Sequence, residues 1–230
     1  MDDDLPEMLL QATDEDGSQL SDQELRDEVM TLLLAGHETT ANALSWTLML
    51  LSQHPKSEAK LLQELHSVLG DRPPTVTDLN QLPYLQTVIK ESMQLYPPVW
   101  ALSREVVREC QIGGYRLPPG TLVYVSPWVM HRDSRFFEAP DQFRPERWAD
   151  HLEQSSPPGA YLPFGDGPRV CIGQSFAMME VKLLLARIVQ TFHLTLVADH
   201  PIELLPSITL RPKQGIGVVL SQRKSEKSKT

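Results

Sequence analysis

A mainly helical fold with small peripheral β-sheets is what this sequence predicts, and three observations predict it. From Ser21 to Pro55, about 33 residues run without a strong breaker and read as one long helix. Two further segments, after Pro55 and from Pro83, carry apolar residues at helical spacing. Between these and a last helix near residues 173 to 191 stand only short strand-like runs, punctuated by glycine and proline. The 230 residues are 41% apolar and 22% charged, an ordinary globular composition.

The first helix opens at LSDQEL. Ser21 caps, Glu24 closes a capping box, and Leu20 and Leu25 are placed as a hydrophobic staple. At 1.5 Å per residue the helix is about 50 Å long, whereas a compact chain of this size is about 45 Å across. Leu32, Leu33, Leu34 and Ala35 run consecutively, as do residues 48 to 51, so every face is apolar somewhere. Such a helix is buried all round, and the rest of the chain is expected to be too small to cover it. Either a partner covers it or part of the protein is missing. Residues 29 to 51 are long enough for a membrane span, but His37 and Glu38 sit near the middle. A carboxylate at that depth costs roughly 2.5 to 3.5 kcal/mol, so a buried soluble helix is expected.

After Pro55, Ala59, Leu62, Leu65, His66 and Leu69 mark a second helix that Gly70 stops. YLQTVIKESMQLY carries a third helix to Pro97. Residues 104 to 126 turn β, through REVVREC, the Gly113–Gly114 pair, YRL, the turn PPG and TLVYV. PWVMHRD and the irregular DQFRPERW lead to the loop SSPPGA, and LTLV and IGVVL close the fold as strands. Residues 1–20 read as an acidic lead-in, 21–222 as the folded body, and 223–230 as a basic tail expected to be disordered.

Charge excludes some functions. Lys and Arg number 21 against 30 Asp and Glu, which argues against nucleic acid as a partner. Cys110 and Cys171 make no disulfide framework and no C-x-x-C pair. The opening MDDDLPEM is the opposite of a basic signal-peptide start, so a cytoplasmic location is expected.

The chemistry concentrates in FGDGPRVCIG, residues 164 to 173. A cysteine just ahead of a helix sits where the backbone N–H groups and the helix dipole favour thiolate. Pro168 and the lack of a following Gly-Lys-Ser/Thr rule out a phosphate cradle. A phosphatase-like nucleophile needs its arginine after the cysteine, and Arg169 precedes it. A buried structural cysteine and a thiolate ligand to haem iron remain. Only the second uses every unusual residue, with Arg169 on a haem propionate and Phe164 packed near the sulfur.

This loop resembles the cysteine loop of the cytochrome P450 family, the haem-thiolate monooxygenases, at Phe164, Gly167, Arg169, Cys171 and Gly173. AGHETT at 35 to 40 resembles that family's oxygen-activation motif, and FRPERW at 143 to 148 the segment leading toward its cysteine loop. The agreement in motif order runs over roughly residues 5 to 220. The resemblance implies the C-terminal portion of the cytochrome P450 fold, haem b as cofactor and Cys171 as the axial thiolate. It implies hydroxylation of a small apolar substrate with dioxygen, and electrons from a separate ferredoxin- or flavoprotein-type donor.

On AGHETT the residues carry their own reading. Gly36 inside a helix costs about 1 kcal/mol relative to alanine, tolerable where a flat macrocycle needs close approach. Thr39 can bond the carbonyl four residues back or, in a locally opened helix, turn its hydroxyl to a ligand. A polar patch between helices is the alternative reading of the same residues. With the resemblance, Thr39 and Glu38 become the pair that delivers protons for oxygen activation. The resemblance likewise makes Ala35, Val99, Ala101 and Leu102 candidate substrate contacts and Arg104 a second propionate partner.

Two departures from the family stand out. Its third-helix motif is Glu-x-x-Arg, but here Glu91 is followed by Gln94, so the expected network with Arg147 lacks one cation. Glu91 is then expected to depend on Arg147 alone, with weakened folding or haem retention. The second departure is length, about half that of family members, so a missing N-terminal half is an expected partner and the chain is expected to be inactive alone. The alternative is a non-catalytic remnant or interaction module that keeps the motifs but binds no haem.

Overall fold

The computed structural model describes residues 5–13, 17–149, 152 and 156–223. The chain divides into two compact units, Met1–Thr39 and Thr40–Thr230. The first holds helix α1 (Leu5–Gln11), an isolated bridge between Thr13 and Gln19, and the start of helix α2 (Asp22–Gln53). The anticipated capping box opens α2. Ser21 N–H donates to Glu24 Oε2 at 2.9 Å, and Glu24 N–H to Ser21 Oγ at 3.3 Å. In this part of α2 Met30, Leu33 and Leu34 stay exposed, Leu34 at 66%. Among the described residues no helix is long and apolar enough to cross a membrane.

The second unit is built on a four-helix core. The rest of α2 supplies Ala43, Trp46, Met49, Leu50 and Leu51. Helix α3 (Pro55–Leu69) supplies Leu61, Leu65 and Leu69, α4 (Pro83–Leu95) Leu85, Val88 and Ile89, and α6 (Gln174–Thr191) Val181, Leu185 and Val189. Pro at the first position of α3 and α4 meets no lost hydrogen bond there, since the first N–H groups of a helix have no internal acceptor. On α3 the inward face differs from the expected one: Ala59 and His66 are exposed, while Glu58 lies inside with Leu61, Leu65 and Leu69. The cause is distant. Arg223 Nη2 donates to Glu58 Oε1, and His193 Nδ1 lies 3.0 Å from the same oxygen.

Among the described residues the strands form four two-stranded antiparallel sheets. β1 (Leu102–Glu105) pairs with β4 (Leu122–Val125), and β2 (Cys110–Ile112) with β3 (Tyr115–Leu117). Gly113 and Gly114 join β2 to β3 with φ of 57° and 85°, the two positive values that a tight hairpin of this twist requires. β5 (Phe192–Leu196) and β8 (Val218–Gln222) fall on the expected runs LTLV and IGVVL, and the structure pairs them with each other. The pair β6 (Leu204–Pro206) and β7 (Leu210–Pro212) was not anticipated; it is tied to the core by Trp46, whose indole N–H donates to Leu210 O at 3.0 Å. PWVM forms the short helix α5 (Pro127–Met130), and PERW, expected to be irregular, forms a 3-10 turn. Of the basic tail expected over 223–230, residues 224–230 lie outside the described residues. Arg223 itself is held, its Nε donating to Val189 O and Phe192 O.

Candidate haem-thiolate site

The stretch from Leu162 to α6 folds on short backbone bonds. Gly165 N–H reaches Leu162 O at 3.3 Å, Val170 N–H reaches Gly167 O at 3.1 Å, and Cys171 N–H reaches Phe164 O at 2.9 Å. The Asp166 carboxylate takes Gly167 N–H at 2.6 Å and starts the turn Gly167–Arg169. Gly165 and Gly167 stand at φ of 75° and 65°, a region that costs other residues about 1 to 2 kcal/mol. Space is not the constraint: a Cβ on Gly165 would meet Leu102 Cδ1 at 3.7 Å, an ordinary contact, and one on Gly167 would meet nothing within 4 Å. Gly173 caps α6 with φ of −83°, and a Cβ there would lie 3.9 Å from Cys171 Sγ.

Cys171 is a free, exposed thiol, so the buried structural cysteine is excluded. Around it Ile172 is 95% exposed and Phe176 62%. Arg169 is exposed as well, and no described residue bonds its guanidinium. An open sulfur among bare apolar side chains, beside an exposed guanidinium, is the donor set that a flat apolar macrocycle with carboxylate arms fits. Phe164 stands half-buried behind the loop, against the helical core.

Strand β1 brings a second set of residues to the loop. Leu102 reaches Gly165, and Arg104, two residues on, shares its face of the strand. The Arg104 guanidinium is exposed and donates only to Ser103 O, at 2.8 Å, among the described residues. Val99 and Ala101 are half-buried. They flank Trp100, whose carbonyl accepts from Ser126 Oγ at 2.9 Å and whose indole donates to Ser207 O at 2.8 Å. Ala35, Gly36, Glu38 and Thr39 belong to the first unit. There Thr39 Oγ1 donates to Ala35 O at 2.7 Å, the bond four residues back, within an unbroken helix. A Cβ on Gly36 would meet nothing within 4 Å, Ala35 is exposed, and Glu38 is half-buried.

Glu91 sits in a closed network. Its carboxylate, fully buried, takes Arg144 N–H at 2.6 Å, Arg147 Nε at 3.1 Å and the Trp148 indole N–H at 2.7 Å. Burial pushes the Glu91 carboxyl up, against the pull of these three donors. Arg147 spends its other donors on the carbonyls of Glu138, Ala139 and Gln142. The expectation that Glu91 depends on Arg147 alone is therefore corrected: a backbone amide and an indole share the load. Gln94 bonds neither. Its Nε2 donates to His131 O and to Pro140 O, which fixes the amide's orientation and leaves the buried Oε1 without a partner.

Sequence reading missed Trp148 and His131. The first stands beside Arg147 in a motif already singled out. The second is fully buried, and its Nε2 accepts Leu162 N–H at 2.8 Å, at the entry to the cysteine loop. A histidine inside the apolar run PWVMH was its only sequence signal.

A sequence model of the family described as Cytochrome P450 matches residues 2–218. Mouse (Mus musculus) Cytochrome P450 4V2 is 42% identical over 220 residues, which is 94% of this chain and 42% of that protein. Cyclooctatin synthase of Streptomyces melanosporofaciens is 44% identical over 197 residues, 86% of this chain and 43% of that protein. Among solved structures, retinoic acid-bound cyanobacterial CYP120A1 superposes with a TM-score of 0.92 at 36% identity, covering 97% of this chain and 52% of that one. The chain thus spans about half the length of the relatives it matches.

Proposed function

The chain belongs to the cytochrome P450 family, and from that membership we propose that it carries the haem-ligating part of a monooxygenase that hydroxylates an apolar organic substrate. Members of this family use haem b. The observation that carries the reading is Cys171, an exposed thiol just ahead of α6, framed by bare Ile172 and Phe176 and by Arg169, whose guanidinium is unpaired among the described residues.

Cys171 would hold the haem iron through its sulfur, and Arg169 and Arg104 would pair with the two propionates. Gly173 would keep a side chain off the sulfur, to which a Cβ there would come within 3.9 Å; Gly167 would serve through its left-handed turn, Gly36 would leave the helix bare for close approach, and Phe164 would pack on the side toward the core. When bound, haem supplies dioxygen activation, helped by electron density from the thiolate. Glu38 and Thr39 would hold and pass the protons this needs; Thr39 must give up its bond to Ala35 O to do so. Ala35, Val99, Ala101 and Leu102 would face substrate. The retinoic acid held by one solved relative supports a mainly apolar compound. Electrons would come from a ferredoxin- or flavoprotein-type donor. The remaining length of the relatives supports a further N-terminal portion as the complement of this one, with little activity from this portion alone.

The test is a reduced, carbon-monoxide difference spectrum of the purified chain supplied with haem. A long-wavelength Soret band of the thiolate type, lost in Cys171→Ser, is the expected result. Absence of haem uptake, alone and with an N-terminal portion from a relative added, would favour a non-catalytic module instead.

A further inference from the structure

We infer that His131 is a positioning residue for the cysteine loop, tying its entry to Gln94 of α4; the inference rests on reading Cys171 as the haem ligand. The imidazole is fully buried, with ring centroids 5.0 Å from Tyr161 and 6.2 Å from Phe137. Because Nε2 accepts Leu162 N–H, the ring proton sits on Nδ1. That atom has no partner of hydrogen-bond geometry, though the backbone of Met93 and Gln94 faces it and favours its proton. Burial pushes the His131 pKa down to about 4, which keeps the ring neutral and Nε2 free to accept at pH 7.

The bonds form one path. Gln94 Nε2 donates to the His131 carbonyl, and the His131 ring accepts from Leu162 N–H. Leu162 O accepts from Gly165 N–H, and Phe164 O from Cys171 N–H. Two residues of the loop take left-handed conformations and no strand ladder supports it. A segment held by so few backbone bonds opens locally unless something rigid grips it. Among the described residues, His131 is the side chain outside residues 162–173 that bonds their backbone. The place of the sulfur therefore depends on an imidazole 40 residues earlier in the chain, and on the amide that stands where the family has arginine.

The test uses the whole chain with isotope-labelled histidine and backbone nitrogen. In the wild type, His131 is expected as the Nδ1–H tautomer, with slow amide exchange at Leu162, Gly165 and Cys171. His131→Phe should speed exchange at these amides about ten-fold while α4 and α6 keep theirs. His131→Gln, whose carbonyl can accept from Leu162 N–H, should recover part of the protection. An Nε2–H tautomer in the wild type, or unchanged exchange at Cys171 in His131→Phe, overturns the inference. The tautomer decides even where the variant fails to fold. Neither readout involves haem, so failure of haem uptake would strike the functional reading and leave this one standing. In haem-loaded protein, His131→Phe should also shift the carbon-monoxide Soret band away from the thiolate position.

Discussion

Replacing Glu91 by glutamine tests the buried network most directly, because it changes charge with little change in shape. Three donors converge on the carboxylate: Arg144 N–H, Arg147 Nε and Trp148 Nε1. A glutamine has one carbonyl and one NH2, so whichever way the amide turns, at least one donor meets a donor. Each buried group left unpaired costs about 1 to 3 kcal/mol. Arg147 also loses its counter-charge, and its side chain, like that of Glu91, is almost wholly out of solvent. Breaking a buried pair by removing one partner costs about 3 to 5 kcal/mol, and the three carbonyls that Arg147 keeps put Glu91→Gln at the lower end, near 3 kcal/mol. For a chain of this size that is a drop in Tm of about 6 to 12 °C. Urea denaturation followed by tryptophan fluorescence measures it. The double variant Glu91→Gln/Arg147→Met should cost less than the sum of the single ones. A loss under about 1 kcal/mol for Glu91→Gln, or strict additivity in the double variant, would refute the claim that these groups share a desolvated network.

His131 gives a pH dependence with a definite sign. Its pKa falls from 6.5 to about 4 on folding, so between those values the unfolded chain binds the proton first. Its contribution, about 3 kcal/mol, is complete above pH 6.5 and lost as pH falls to 4; His131→Gln should flatten that limb of a stability-against-pH curve. Gln94→Arg replaces an amide with an unpaired oxygen by a donor-only group facing two carbonyls, and should raise stability by about 1 kcal/mol. A loss in urea denaturation would mean that the pocket rejects a second cation. Gly167→Ala should cost about 1 to 2 kcal/mol from backbone strain alone, since its Cβ meets nothing. The same change at Gly173, where φ is ordinary, should leave the thermal midpoint within a degree or two.

What could be read from the sequence was local. Ser21 and Glu24 lie three residues apart and announced the start of α2; Pro83 and Pro97 bracketed α4; Gly113 and Gly114 placed a hairpin. The cysteine loop was legible because its residues are contiguous. What escaped depends on partners far along the chain. Glu58 turns inward on α3 because of an arginine 165 residues away, so the spacing of leucines alone pointed to the wrong edge of that face. The pair β6–β7 is three residues a strand and carries prolines. Its place comes from Trp46 and from Pro98, whose carbonyl takes Leu210 N–H at 2.8 Å. His131 looked like any histidine in an apolar run, since its acceptor role needs a backbone amide 31 residues later.

The link between Glu58 and Arg223 also sets a timetable. A ribosome adding roughly 5 to 20 residues per second takes about 8 to 33 s to travel from one to the other. Until then α3 carries a carboxylate facing the place where β5 and β8 will pair, and its cation has not been made. Before Arg223 is made, His193 is the carboxylate's partner here among the described residues; burying the charge without its guanidinium is costly, so that end of the helix stays wet during synthesis. The region around β5 and β8 thus closes after translation has passed residue 223, however early the helices gather. Nascent chains arrested before and after that residue should differ in the protease resistance of this region while α3 and α4 resist equally in both.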